Sequence, residues 1–383
     1  MSKFLSLFPN LQAVENYVVS ARKYRPTGFA EVVGQDHITT TLQNAIDNNQ
    51  LAQALLFCGP RGVGKTTCAR IVAKMVNKAG QDGNKEIDTE TALNIFELDA
   101  ASNNSVEDIR NLIDQVRYPP QYGRFKIYII DEVHMLSQSA FNAFLKTLEE
   151  PPPYAIFILA TTEKHKVIPT ILSRCQIYDF NRIELNDITS RIKLIAEKEN
   201  ITTEDDALHL IAQKADGALR DALSIFDLIV NFSDNGTVTY ADTISNLHIL
   251  DYDYYFSVTE HLLNENISQS LLLYDKILRK GFDGHEFLIG LANHFRDLMM
   301  CKDNETITLL EVSQSVRERY ADQANSSPMS FLLSGLNLLS KADLEYKSRK
   351  NQRLHVELVL MKIAHLNAAI SLVQYESSAE KKK

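Results

Sequence analysis

The sequence is poor in cysteine, with four in 383 residues. They stand at positions 58, 68, 175 and 301 and form no CxxC pair, which argues against a disulfide scaffold and a structural zinc site and points to reduced thiols. Long hydrophobic runs are also missing. The longest, 127–130 and 155–160, fall far short of the roughly 20 residues a membrane helix needs and read as short buried strands. The first ten residues hold one lysine, a few apolar side chains and no small-residue cleavage site, so no secretory signal is expected and the chain is placed in the cytoplasm without a membrane partner. Positive charge is in deficit: 40 Lys and Arg against 49 Asp and Glu give a net charge of −9. Any contact with nucleic acid must then come from a local surface and not from bulk charge. What is present is ordinary for a globular protein, 45% hydrophobic and 23% charged, which excludes collagen-like, low-complexity and wholly disordered classes. At roughly 150 residues per domain the length implies two or three domains.

The first two hundred residues alternate short β-rich apolar runs with amphipathic stretches, the pattern of a parallel sheet covered by helices. Strands are expected near 53–58, 93–98, 125–130, 155–160 and 176–180. Helices are expected over 36–48, 65–77, 105–116 and 139–148, the third opened by Asn104 with Glu107 as a capping box. After about 182 the strands are expected to stop. Apolar positions then recur at helical spacing, broken at Gly217, at Asp234-Asn235-Gly236 and at Gly281. This gives an α/β domain over 1–182, a bundle of about three helices over 183–238, a larger helical domain over 239–374 and a charged tail over 375–383.

Gly59-Pro60-Arg61-Gly62-Val63-Gly64-Lys65-Thr66, with Thr67 beside it, matches GxxxxGK[ST] directly after an expected strand and directly before a helix. Glycines let backbone N–H groups and the helix N-terminus face phosphate, Lys65 reaches the outer phosphates, and Thr66 can hold Mg²⁺. Further on, the run Ile127-Tyr128-Ile129-Ile130 delivers Asp131 and Glu132 to the end of a buried strand, the edge where α/β sheets bind ligands. There Asp131 would hold Mg²⁺ and Glu132 would polarise the attacking water. Thr161-Thr162 ends another strand; Thr162 could bridge water and γ-phosphate, or could simply reflect the β propensity of threonine. Arg174, in Ser173-Arg174-Cys175, and Arg220, in Gly217-Ala218-Leu219-Arg220-Asp221, read equally as surface cations or as neutralisers of a transferring phosphoryl group. The N-terminal end of the helix begun by Asn104 and Ser105 could receive DNA phosphate or could be an ordinary helix cap.

Together with Ala21-Arg22-Lys23-Tyr24-Arg25-Pro26, Val32-Val33-Gly34-Gln35, Glu97-Leu98-Asp99-Ala100-Ala101-Ser102 and Leu148-Glu149-Glu150-Pro151-Pro152, these motifs make the chain resemble the gamma/tau subunits of bacterial DNA polymerase III clamp loaders, which are AAA+ ATPases. The resemblance runs over about residues 18–370. It implies an AAA+ P-loop nucleotide-binding domain with a parallel sheet, a small helical lid and a C-terminal helical collar that joins a pentameric ring. By it, Lys65 and Thr66 are Walker A residues, Asp131 and Glu132 Walker B, Thr162 sensor 1, Arg174 an arginine finger for the adjacent subunit and Arg220 sensor 2. Ala21, Arg25, Pro26 and Val33 would line the adenine side. The implied substrate is ATP with Mg²⁺, and the implied partners are other loader subunits, the sliding clamp and primer-template DNA. The family is classed with the DNA-directed DNA polymerase holoenzyme, but no polymerase active site is expected here.

Two departures from the pattern stand out. Members usually carry four cysteines between the Walker A helix and the next strand, whereas 78–94 holds none, so no zinc is expected. The sequence also ends at Lys383, short of the long extension of a tau form, and so resembles either a gamma-length form or a shortened chain. Intact Lys65, Thr66, Asp131 and Glu132 favour an ATP-hydrolysing motor over a non-hydrolysing scaffold of the same loader. The Ser-Arg-Cys motif and the collar disfavour an AAA+ helicase or initiator.

Overall fold

In the computed structural model the strand Ala54–Cys58 (β1) is buried at all five positions, as is Ala155–Thr161 (β4) at all seven. A strand reads as continuously apolar only when both faces of its sheet are covered. Lys126–Asp131 (β3) is likewise buried except at its last residue, while Ile95–Asp99 (β2) and Gln176–Asp179 (β5) are only partly buried. The burial pattern thus anticipates the observed order β2-β3-β4-β1-β5, with the two half-buried strands at the edges and every pairing parallel. The structure describes residues 18–78, 94–121, 123–233, 236–247, 250–303, 305–310, 312 and 314–368.

Helices cover both faces of the sheet. Before β1 come Ser20–Lys23 (α1) and Asp36–Asp47 (α2), and between the strands run Lys65–Lys78 (α3), Val106–Val116 (α4), Gln138–Glu149 (α5) and Pro169–Leu172 (α6). Leu55 and Phe57 of β1 pack with Ile38 and Leu42 of α2 and with Val72 of α3. Leu56 and Cys58 point to the other face, with Ile109 and Leu112 of α4 and Phe141 and Phe144 of α5. All four cysteines are free, and burial pushes the Cys68 thiol up to about 12.

Two local expectations are corrected. The capping box of α4 is made by Ser105 and Asp108, not Asn104 and Glu107: the Ser105 hydroxyl accepts from the Asp108 N–H at 3.2 Å, and the Asp108 carboxylate accepts from the Ser105 N–H at 3.2 Å. The strands also do not stop at 182, because two-residue strands occur at Thr202–Thr203 and Thr237–Val238. Both are too short to show as an apolar run.

The helices Leu185–Lys198 (α7), Asp205–Lys214 (α8) and Leu219–Phe232 (α9) follow the sheet. Tyr240–Leu247 (α10), Tyr252–Leu263 (α11), Ile267–Arg279 (α12), Gly284–Met300 (α13), Gln314–Ser326 (α14), Met329–Tyr346 (α15) and Gln352–Ala364 (α16) complete the described chain. Two compact units result: Met1–Thr203 with Leu210–Thr237, and Glu204–His209 with Val238–Lys383. The second has its own core, in which Phe287, Leu291 and Phe295 of α13 meet Phe331 of α15 and Leu360 of α16. His294 of α13 is buried there: its Nδ1 lies 3.0 Å from the Tyr320 hydroxyl and its Nε2 2.8 Å from Gln323 Oε1. Gln323 Nε2 donates to Phe256 O, which turns its carbonyl oxygen toward the ring and selects the Nε2–H tautomer. No helix among the described residues is long and apolar enough to cross a membrane.

Candidate nucleotide site

The loop 59–64 joins β1 to α3 at the carboxyl edge of the sheet, and two of its glycines are there for backbone reasons. Gly59 has φ of 147° and Gly62 of 77°. A Cβ on Gly62 would lie 2.9 Å from Ala218 Cβ, and the Arg220 N–H donates to Gly62 O at 3.4 Å. The loop therefore touches the first turn of α9 closely enough that only glycine fits.

Lys65, 6% exposed, begins α3, and its Nζ donates to Gly59 O at 2.7 Å and Pro60 O at 2.6 Å. Burial pulls its pKa below the usual lysine range, against the opposing effect of the Glu132 and Asp131 carboxylates. Thr66 Oγ1 donates to Asp131 Oδ2 at 2.7 Å. These two hard oxygen donors suit Mg²⁺, which takes one or two protein oxygens and keeps several waters. Glu132 adopts a left-handed conformation with φ of 48°, uncommon outside glycine and a type of backbone strain that gathers at functional sites. Its Oε2 accepts from the Thr162 N–H at 3.2 Å and the Thr162 hydroxyl at 2.9 Å, with His134 Nδ1 3.4 Å away. His134 Nε2 in turn lies 3.1 Å from Glu163 Oε2.

Around these groups is a cavity of about 170 Å³. Arg61, Gly62, Val63, Gly64, Lys65, Thr66 and Thr67 form its floor, Asp131 and Glu132 one side, and Arg220 of α9 another. Ala21, Arg25, Pro26 and Val33 close the remaining wall. Arg25 and Arg220 have no ion-pair partner among the described residues. Burial lowers the Arg25 pKa, and the Arg70 guanidinium adds to that. Lys65, Arg25 and Arg220, with Arg61 and Arg191 also in the lining, face one cavity, which suits a polyanion such as a nucleoside triphosphate. The wall formed by α1 and its flanks is tied to α7 and α9. The Ser20 N–H donates to the buried Asp227 of α9 at 2.7 Å, and Lys23 and Tyr24 both bond Glu199 at the end of α7.

Three sequence-selected residues lie off the cavity lining. Gly59 contributes its carbonyl to Lys65, and Thr162 meets Glu132. Arg174 pairs with Glu149 in the link between α6 and β5. Tyr24, inside the stretch 21–26 taken as the adenine side, also lines the cavity, while sequence reasoning passed over Ile183, Arg191 and Leu223 of the lining, and His134. Arg191 carries no local signal on an amphipathic helix. The expected phosphate site at the start of α4 is weakened, because the N–H groups of Ser105 and Asp108 are taken by the capping box and Glu107 and Asp108 place acids in the first turn. The stretch on which the zinc expectation falls, 79–93, lies outside the described residues, as does the tail 375–383.

Comparison with known proteins places these features in one family. A family model described as the DNA polymerase III delta subunit matches residues 34–184. One for the DNA polymerase III clamp loader subunit ATPase lid domain matches 187–235, and one for domain III of the gamma and tau subunits matches 239–376. The DNA polymerase III subunit tau of Bacillus subtilis is 38% identical over 92% of this chain, which spans 65% of that protein. The subunit tau of Salmonella typhimurium is 35% identical over 94% of this chain, which spans 58% of that protein. Subunit gamma of Buchnera aphidicola subsp. Baizongia pistaciae is 36% identical, covering 92% of this chain and 98% of its own length. With a gamma subunit matched from end to end and all three domain types in order, the chain belongs to the gamma/tau family of DNA polymerase III clamp-loader subunits.

Proposed function

We propose that this chain is an ATP-hydrolysing motor subunit of a clamp loader that places the sliding clamp on primed DNA. The observation that carries the reading is the convergence of Lys65, Thr66, Asp131 and Glu132 on one cavity whose wall includes Arg220 of the following helical bundle. A non-hydrolysing scaffold has no use for a carboxylate held as Glu132 is, in a strained backbone and bonded by Thr162.

In this reading Lys65 exchanges the carbonyls of Gly59 and Pro60 for the outer phosphates. Thr66 and Asp131 hold Mg²⁺, which when bound spreads the charge of the phosphate oxygens. Glu132 orients water, and Thr162 fixes the Glu132 carboxylate. Ala21, Pro26 and Val33 border the base, while Arg25 and Arg220 add positive charge. Arg174 serves the nucleotide of an adjacent subunit. Residues 1–182 act as the nucleotide domain, 183–238 as the lid and 239–374 as the collar that joins other loader subunits in the cytoplasm. The start of α4 is not assigned to DNA.

The test is the ATPase rate of the chain assembled with its loader partners, with and without clamp and primed DNA. Stimulation by the two together is expected. A rate indifferent to both would overturn the loader reading.

A further inference from the structure

The Arg174 guanidinium is held by Glu149, Thr170 and Ser173 of its own chain. Nε and Nη2 both donate to Glu149 Oε1, at 3.0 and 2.5 Å. Nη1 donates to Thr170 O at 2.8 Å and to Ser173 Oγ at 3.1 Å, and the Ser173 hydroxyl itself donates to Thr170 O at 3.1 Å. Four of the five guanidinium N–H groups are thereby engaged, and one on Nη2 is left over. The pair lies at the surface, with side-chain exposures of 33% for Arg174 and 48% for Glu149. An exposed ion pair adds little to stability, so stability is a poor reason for this arrangement.

The groups that hold the arginine are themselves fixed. Glu149 is the last residue of α5, whose Ala140, Phe141, Phe144 and Leu148 are buried, and three prolines follow at 151–153. Thr170 belongs to α6, which starts on Pro169 and buries Ile171. A long side chain set on two helix ends has already lost its rotamer freedom before any ligand arrives, which is how positioning residues raise a rate.

We propose that Glu149 is a positioning residue for Arg174, presenting the guanidinium at the surface with an Nη2 N–H directed to the phosphate of a nucleotide bound by a neighbouring chain. The inference rests on reading Arg174 as a finger acting in trans, and the experiment separates the two. Steady-state ATPase of the assembled loader is compared for Arg174→Ala, Glu149→Ala, Glu149→Gln and the double variant Glu149→Ala with Arg174→Ala, with urea unfolding of each.

Arg174→Ala should lose on the order of a thousandfold in kcat. Glu149→Ala should lose roughly ten- to a hundredfold in kcat with KM for ATP unchanged. Glu149→Gln, which keeps an acceptor oxygen, should recover part of that rate. The double variant should be no slower than Arg174→Ala alone, and unfolding midpoints should stay in place. An unchanged or raised kcat in Glu149→Ala beside a slow Arg174→Ala would overturn the positioning role and leave the finger. Further loss in the double variant would do the same. An Arg174→Ala loader at the unmutated rate would overturn both.

Discussion

Lys65 and Glu132 border the same cavity, and the stages proposed for them should be separable by substitution. Lys65→Ala removes the ammonium that meets the outer phosphates, so nucleotide affinity should fall below detection in a fluorescent-nucleotide titration. Glu132→Gln keeps shape and hydrogen bonding, so affinity should persist while single-turnover hydrolysis stops. Equal loss of affinity in both variants would contradict these roles. At this scale the sequence was legible where chemistry dictates spacing: GxxxxGK[ST] and a strand ending in two acids leave little choice of residue. It was illegible where a side chain reaches the site from a distant element. Nothing local marks Arg191 for the cavity or ties His134 to Glu163, since both depend on how helices and loops meet in space. The capping box was misplaced by one residue because Asn104 and Ser105 are both good caps and Glu107 and Asp108 both acids, so the pattern alone cannot choose between the registers.

Among the elements, the closest meeting of loop and lid is Gly62 against Ala218. Gly62→Ala would hold a Cβ-bearing residue at φ of 77° and press it onto the start of α9. The conformation alone costs about 1–2 kcal/mol. A lower thermal midpoint and roughly tenfold weaker nucleotide binding are expected from that cost; unchanged affinity would mean that α9 yields freely. In the second unit, burial holds the His294 pKa down to about 4, and the nearby Arg319 charge acts in the same direction. Because the folded pKa is depressed below the unfolded value of 6.5, the folded state refuses a proton that the unfolded chain accepts between these values. The stability from this difference is present above pH 6.5 and is lost as pH falls to about 4, amounting to about 3 kcal/mol. Denaturant unfolding at pH 7 and pH 4 should therefore differ more for the unmutated chain than for His294→Gln; equal differences would refute the assignment. The central strands were legible as continuous apolar runs, whereas α1, of four residues, and the two-residue strands are too short to carry a period and are fixed by tertiary contacts.

For the assembled molecule, a finger supplied by a neighbour makes hydrolysis a property of an interface. Chains carrying Arg174→Ala mixed with chains carrying Lys65→Ala should regain activity beyond either alone, because some interfaces then pair an intact phosphate loop with an intact finger. No recovery in co-assembled rings would argue for action within one chain. The class of fold and its order of domain types could be read from the alternation of strands and helices and from the motifs, whereas the reach of one chain into another was implied only by the family resemblance and carries no local signal. The proposed finger in trans is supported by Arg174 lying off the cavity of its own chain. The buried bond from the Ser20 N–H to Asp227, with Lys23 and Tyr24 on Glu199, has a consequence for timing. In the proposed reading the segment beside the base is fastened through Asp227 to α9, the helix that carries Arg220, so base and phosphates would be gripped and let go in one movement. Nucleotide release should then run as a single exponential in stopped-flow, and cutting the tether with Asp227→Ala should split it into two phases.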